Sequence, residues 1–361
     1  MMRGISPVVL AFIGAMFAAT HTSANETYLV VSINGTTNVV ERIGFPVGDI
    51  KDIILAGDKY IIHANPIDSL KDSVAVDALF VMEKDNPNAA FGRTFSKPIH
   101  SVAYVPGLDV AVWSYESGYS TNLLEMAQGQ SALKSAGSDD VFIPNNRQYR
   151  IYSGCELFSS SSNVVHEVGT AHKGLRFHIE DGKYVGSISL NSASVDGTEK
   201  LFTSDDNGVF ILRPGHNIPL RFVSFNGVGQ NFPLNNSIDN PISFAVVSTD
   251  QGQNKGKALL GYDNGAVRSS DYTVDTLGEF SEPVVMLNGS VNSMSATPNK
   301  TIRAVSTNSN ETVEFDGNLS VTDKVTPNAT ETGYRKVITD NNDTLLLSNT
   351  HSNYFYRVKS R

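Results

Sequence analysis

The stretch Lys200–Leu212, KLFTSDDNGVFIL, constrains this chain more than any other. An apolar run, a polar turn carrying Asn207-Gly208 and a second apolar run make a β-hairpin signal. Asn and Gly tolerate the positive φ that a two-residue turn needs. Worn copies of the pattern begin at 59 (KYIIHAN), 109 (DVAVWSYESG), 150 (RIYSGCELF), 200, 258 (ALLGYDNGAV), 303 (RAVSTNSNETV) and 344 (TLLLSNTHSNYF). Their mean step of about 48 residues lies in the range of periods that signals propellers and solenoids.

A short alternating run precedes most copies: Ile50–Ala56, Ile99–Gly107, Val185–Asn191, Ile242–Ser248, Val291–Pro298 and Arg335–Asp340. Alternation at period two, punctuated by turns, predicts antiparallel strands with one face buried. One stretch, Asn122–Ala136, invites a helix through Leu123, Met126, Ala127 and Leu133. Gly129 weakens that reading, and an outer strand and a loop fit the stretch equally. Each unit is a small sheet that cannot bury its faces alone, and radial stacking around a channel buries them. The expectation is all-β: a β-propeller of seven blades, with six as the alternative, in one domain over 25–361. The ring is closed by pairing strands near 28–43 with strands near 335–358, which sets the two termini side by side.

Val291–Asp316, VNSMSATPNKTIRAVSTNSNETVEFD, resembles a degenerate WD40-type repeat. Ser204–Gly208 and Ser114–Gly118 match the Ser-x-Asp-x-Gly turn of that superfamily. Gly261–Gly265 and Ser306–Asn310 match it in part, and His63, Ser153 and Ser348 head the poorest copies. No Trp-Asp pair closes a strand, the sole tryptophan is Trp113, and the sole Gly-His pair is Gly215-His216. The resemblance implies a fold and, more loosely, protein or ligand binding.

The first 24 residues read as a secretory signal peptide: Arg3, a mostly apolar run from Ile5 to Ala19, and small residues at Thr22-Ser23-Ala24. Cleavage after Ala24 leaves Asn25 first, and no later stretch is apolar enough to span a bilayer. The expected location is extracellular or periplasmic. The formal charge of −9 and the lack of a Lys/Arg cluster argue against nucleic acid as a partner. The lone cysteine, Cys155, excludes an internal disulfide and reads as a buried thiol. Asn-X-Ser/Thr sequences stand at Asn25, Asn34, Asn235, Asn288, Asn299, Asn310, Asn318, Asn328 and Asn342. All but Asn25, at the mature terminus, are candidate glycan sites, and composition alone also produces such sequences.

Linear chemistry is sparse. Asp205, Asp206 and Asp263, or the Asp340–Asp343 run, offer oxygens for Ca²⁺ without EF-hand spacing, and solvated turns are the default reading. His166, His172 and His178 share a face only on an unbroken strand, which Gly169 and Gly174 oppose. Gly-x-Ser-x-Gly, Gly-x-Gly-x-x-Gly and P-loop sequences are missing. No cofactor or metal is expected, and catalytic residues are not assigned. The expected function is a binding module for a protein or glycan partner, as a monomer or a subunit of a complex. The alternative is a hydrolase or lyase acting on a glycan in the central channel.

Overall fold

A computed structural model describes residues 17–18, 26–45, 47–66, 76–86, 90–105, 110–115, 240–250, 255–273, 276–297, 301–316, 318–340, 343–350 and 352–360. It also describes the strands 122–126, 133–135, 141–143, 147–149, 156–161, 164–168, 175–178, 200–204, 208–213, 220–224 and 229–232. Among the described residues every regular element is a strand. The helix-inviting stretch forms Asn122–Met126 and Leu133–Ser135, paired antiparallel through Glu125 and Lys134. The described residues of that stretch are strands, as the strand alternative expects.

The first blade runs outward as Ile50–Ala56, Lys59–Ala64, Asp77–Glu83 and Ala90–Phe95, with Phe17–Ala18 paired to its outer edge. The closing blade contains both ends of the ring. Its order is Tyr334–Thr339, Asp343–Ser348, Tyr354–Ser360, Thr37–Gly44 and Glu26–Val31. Asn38 pairs with Ser360 and Gly44 with Tyr354. An N-terminal strand thus completes a sheet begun at the C-terminus, as the closure argument expects.

Each neighbouring pair of blades shares a core. Ile43, Leu345 and Phe355 of the closing blade meet Ile53, Tyr60 and Ile62 of the first. On the far face of the first blade, Ile61, Leu79 and Phe95 meet Ile99 and Trp113. Ile61 and Ile62 are adjacent in sequence yet serve opposite cores, and both are fully buried. Lys59–Ala64 and Asp343–Ser348 are buried at every position. The expectation of one buried face is therefore corrected for these strands. A strand flanked by a blade on each side reads as a continuous apolar run, at about 1.5–3 kcal/mol for each large aliphatic side chain buried.

Three further cores join sheet 200–232 to sheet 241–286, that sheet to 293–325, and 293–325 to the closing blade. Five complete blades with described cores follow: the first, the closing, and those at 200–232, 241–286 and 293–325. That is fewer than the expected seven or six. The reason lies in the stretch from 99 to 178, which pairs as separate four-, two- and three-stranded sheets. From 122 to 178 only its backbone is described.

The repeat also shifts in register. Lys200–Ser204 pairs with Gly208–Leu212 as expected, Ser204 opposite Gly208, but it is the first strand of its sheet. Val185–Asn191, Cys155 and the turn residues 205–207 lie outside the described residues. The Asn34-Gly35 turn holds: Gly35 has φ +86° and its N–H donates to Ser32 O at 3.0 Å.

Candidate functional site at the axis

The innermost strands border the axis. Among the described sheets they are Ile50–Ala56, Ile99–Val105, Lys200–Ser204, Pro241–Asp250, Ser293–Ala296 and Tyr334–Thr339; Ile99–Val105 meets Lys200–Ser204 through Glu156–Ser161, and each of the others touches the next. Four of them begin with a register shift, between Ile50 and Asp52, Ile99 and Ser101, Pro241 and Ser243, and Tyr334 and Lys336. The pairing register steps over Lys51, His100, Ile242 and Arg335. A bulge of this kind bends the strand and re-aims a side chain, and bulges are common beside functional sites. The local cause is legible: buried or half-buried apolar residues recur at a spacing of three (Ile50 and Ile53, Ile99 and Val102, Tyr334 and Val337) where a regular strand requires two.

The charged side chains here bind blade to blade. Asp77 is fully buried and takes four hydrogen bonds: Lys51 Nζ to both oxygens at 3.1 Å, His63 Nε2 at 2.8 Å and the Ile99 backbone N–H at 2.8 Å. Burial works to raise the Asp77 carboxyl, but the His63, Ile99 and Lys51 donors outweigh it and hold it below the usual carboxylate range. Lys336 pairs with Asp52. Arg335 donates to three backbone carbonyls, Ser348 O and Lys51 O at 3.1 and 2.9 Å and Ile50 O. Burial lowers the pKa of its guanidinium, and Asp52 and Asp49 oppose that through space. Ser293 Oγ accepts from Val337 N and Ser295 Oγ from Thr339 N, at 3.1 and 3.0 Å, joining two innermost strands through side chains.

A second network lies between closing and first blades. Tyr60 Oη donates to Asp343 Oδ2 at 2.7 Å, Arg357 bonds Glu41 and the Lys84 carbonyl, and Lys84 pairs with Asp340 at 2.6 Å. At the seam toward 293–325, the Glu331 carboxylate accepts from Tyr354 Oη (2.9 Å), Tyr356 Oη (2.8 Å) and Ser348 Oγ (2.5 Å). Burial, then the charges of Glu26 and Glu331, raise the Tyr28 hydroxyl to about 12 against the opposing Arg42.

These arrangements are suited to holding a polar surface rigid. His63 and Asp77 have the separation of a base and its orienting carboxylate. Both are sealed, at 6% and 0% exposure, and the pair's third partner is the Lys51 ammonium rather than a hydroxyl nucleophile. Among the described residues, no group of three His, Cys, Asp or Glu could hold a metal. Asp263 sits in a hairpin turn, and Asp205 and Asp206 lie outside the described residues. His166 and His178 fall on separate strands, as Gly169 and Gly174 suggest, and His172 lies outside. Of the candidate glycan positions, Asn34, Asn288, Asn310, Asn318 and Asn328 are placed, all in turns or links between strands. Asn235, Asn299 and Asn342 lie outside the described residues. Residue-by-residue motif reading missed Asp77, because its three donors come from three different strands, while the bulged residues carried a usable signal in the three-residue apolar spacing.

No protein-family model matches the sequence, and no curated protein matches it. Solved structures do. The WD40 repeats of RRP9 superimpose with a TM-score of 0.61 at 9% identity, covering 93% of this chain and 100% of that one. The WD40 β-propeller of Doa1 gives 0.54 at 12%, covering 93% and 98%. Virginiamycin B lyase from Staphylococcus aureus gives 0.59 at 9%, covering 90% and 100%. The fold is a β-propeller, similar to those of WD40 domains and of this lyase. At these identities the likeness is one of fold alone, and it extends to WD40 domains and to a lyase equally.

Proposed function

We propose that the protein is a secreted or periplasmic β-propeller that binds a protein or glycan partner at the axial end where its innermost strands bulge. The observation that carries this reading is the bulge itself, repeated at the same place in four blades. It places one residue per blade (Lys51, His100, Ile242, Arg335) at the step in register, on a scaffold that the Lys51–Asp77 pair and the Arg335 bonds hold rigid. Rigid scaffolds presenting varied residues at one end are how repeat folds build recognition surfaces. WD40 neighbours support a binding role. A full ring of seven blades is part of the reading. It is supported by contacts that place Glu156–Ser161 between Ile99–Val105 and Lys200–Ser204.

The test is affinity capture of the full chain from its own secretome or envelope, in parallel with its Ile242→Glu variant. A partner retained by the natural chain and lost by the variant is the expected outcome. Turnover of a glycan panel with no retained partner would instead establish the second reading, a propeller lyase or hydrolase, which the fold of the S. aureus lyase keeps in view. Residues 1–24 are proposed to be removed after Ala24, which N-terminal mass spectrometry of the exported protein reads directly.

A further inference from the structure

We infer that Asn34 and Asn318 are the glycan acceptors among the described Asn-X-Ser/Thr sequences, and that Asn288, Asn310 and Asn328 are structural asparagines. The inference rests on export through a eukaryotic secretory pathway for its setting, but the sorting comes from side-chain geometry. In the transfer, Asn Nδ2 attacks the anomeric carbon of a lipid-linked glycosyl diphosphate. The bond from that carbon to the diphosphate oxygen breaks, the diphosphate leaves, and an Nδ2 proton passes to a base of the transferase. An acceptor therefore needs an accessible Nδ2 that the fold is not using.

Asn328 is half-buried, and its Nδ2 donates to Tyr356 Oη at 2.8 Å, which in turn donates to Glu331. Asn310 is half-buried with Nδ2 on Ala329 O at 3.1 Å. Asn288 is exposed, but its Nδ2 donates to Asn308 O at 3.0 Å and its own carbonyl accepts from Ser306 Oγ at 2.7 Å. Asn288 and Asn310 tie one connecting segment to another, and Asn328 ties its segment to the strand Tyr354–Ser360. Asn34 and Asn318 differ. Both are exposed, and no described residue engages either Nδ2. Asn34 Oδ1 accepts from Ser32 Oγ at 2.6 Å and Thr36 N at 2.8 Å, which fixes the side chain by its oxygen. Asn328 Oδ1 likewise accepts from Thr330 N, at 2.9 Å. The turn is therefore common to both classes, and the engagement of Nδ2 separates them.

Position agrees with chemistry. Asn34 and Asn318 precede or follow the outermost strands of two adjacent blades, linked where Ile33 N donates to Lys324 O at 3.1 Å. Beside Asn34 run Leu29, Val31 and Ile33, at 57%, 66% and 69% exposure, and Val321 follows Asn318 at 37%. An apolar rim this exposed is an association hazard on an uncovered monomer, and glycans on these two residues would stand next to it.

The experiment expresses the full chain in a eukaryotic secretory cell, behind a host leader placed before Met1 and, separately, behind its own residues 1–24. Glycans are released by amidase in heavy-oxygen water, which converts each occupied Asn to labelled Asp. With the host leader, label at Asn34 and Asn318 and none at Asn288, Asn310 or Asn328 is expected. Asn34→Gln with Asn318→Gln should then abolish the glycan-dependent mass shift of those peptides. Label at any of the three engaged residues, or none at the two acceptors, overturns the assignment. Failure with the chain's own leader alone counts against export and leaves the assignment standing. A second measurement needs no glycan. In protein made in bacteria, Asn328→Gln should lower Tm by several degrees while Asn318→Gln, whose side chain is bonded to no described residue, leaves it unchanged, and equal effects would overturn the structural role.

Discussion

Asp77 carries a full negative charge into a site with no solvent exposure, and it does so because Lys51, His63 and the Ile99 N–H all donate to it. Removing the charge weakens the acceptor of buried His63 and of half-exposed Lys51, so Asp77→Asn should cost about 1–3 kcal/mol in urea unfolding. The sign of the pH effect follows from the lowered carboxyl. Its contribution is complete above the unfolded value of about 3.9 and is lost as pH falls through the lower folded value. Stability measured from pH 5 downward should drop more steeply in the natural chain than in Asp77→Asn. Equal slopes would remove Asp77 from the acid limb. Tyr60 makes a separate case. Its hydroxyl donates to buried Asp343 at 2.7 Å, and Tyr60→Phe should cost about 1.5–3 kcal/mol by the same measurement.

At the scale of the element, turns and bulges decide the strands' ends. Gly265 has φ +92°, and a Cβ there would lie 2.1 Å from Leu287 O. Gly265→Ala should therefore destabilise by more than about 1 kcal/mol, read as a lowered unfolding midpoint with an unchanged denaturant slope. This turn was visible in advance as the Asn264-Gly265 pair. The bulges were visible only as a three-residue apolar spacing, which a search for period-two alternation passes over. The identity of the innermost strand was not visible at 200: the hairpin looks the same in sequence whether it is first or second in its sheet. Hydrogen-bond partners several residues upstream decide that.

At the scale of the molecule, closure joins the two ends of the chain in one sheet. Tyr354–Ser360 sits between Asp343–Ser348 and Thr37–Gly44, so the ring is held by one strand paired on both sides. Ending the chain before Tyr354 should abolish the cooperative thermal transition rather than merely lower it, because two inter-blade cores lose Phe355, Tyr356 and Val358 together. A single sharp transition in the truncated chain would show that the ring does not depend on that strand.

From residues alone came the all-β class, the repeat, the joining of the two ends in one sheet and the polar turns. These follow from local rules: side-chain periodicity and the φ that Asn and Gly allow. The tertiary structure decided which faces are buried, which strand lies at the axis, and what each polar group is for. A blade buries both faces only because it has a neighbour on each side, so Ile61 and Ile62 can both be core. Asp77 becomes a latch, and Asn328 a brace while Asn34 stays open, only when strands far apart in the chain bring a donor or an acceptor within hydrogen-bond reach. Spacing along the chain cannot encode those meetings, because the partners are brought together by the stacking of whole sheets.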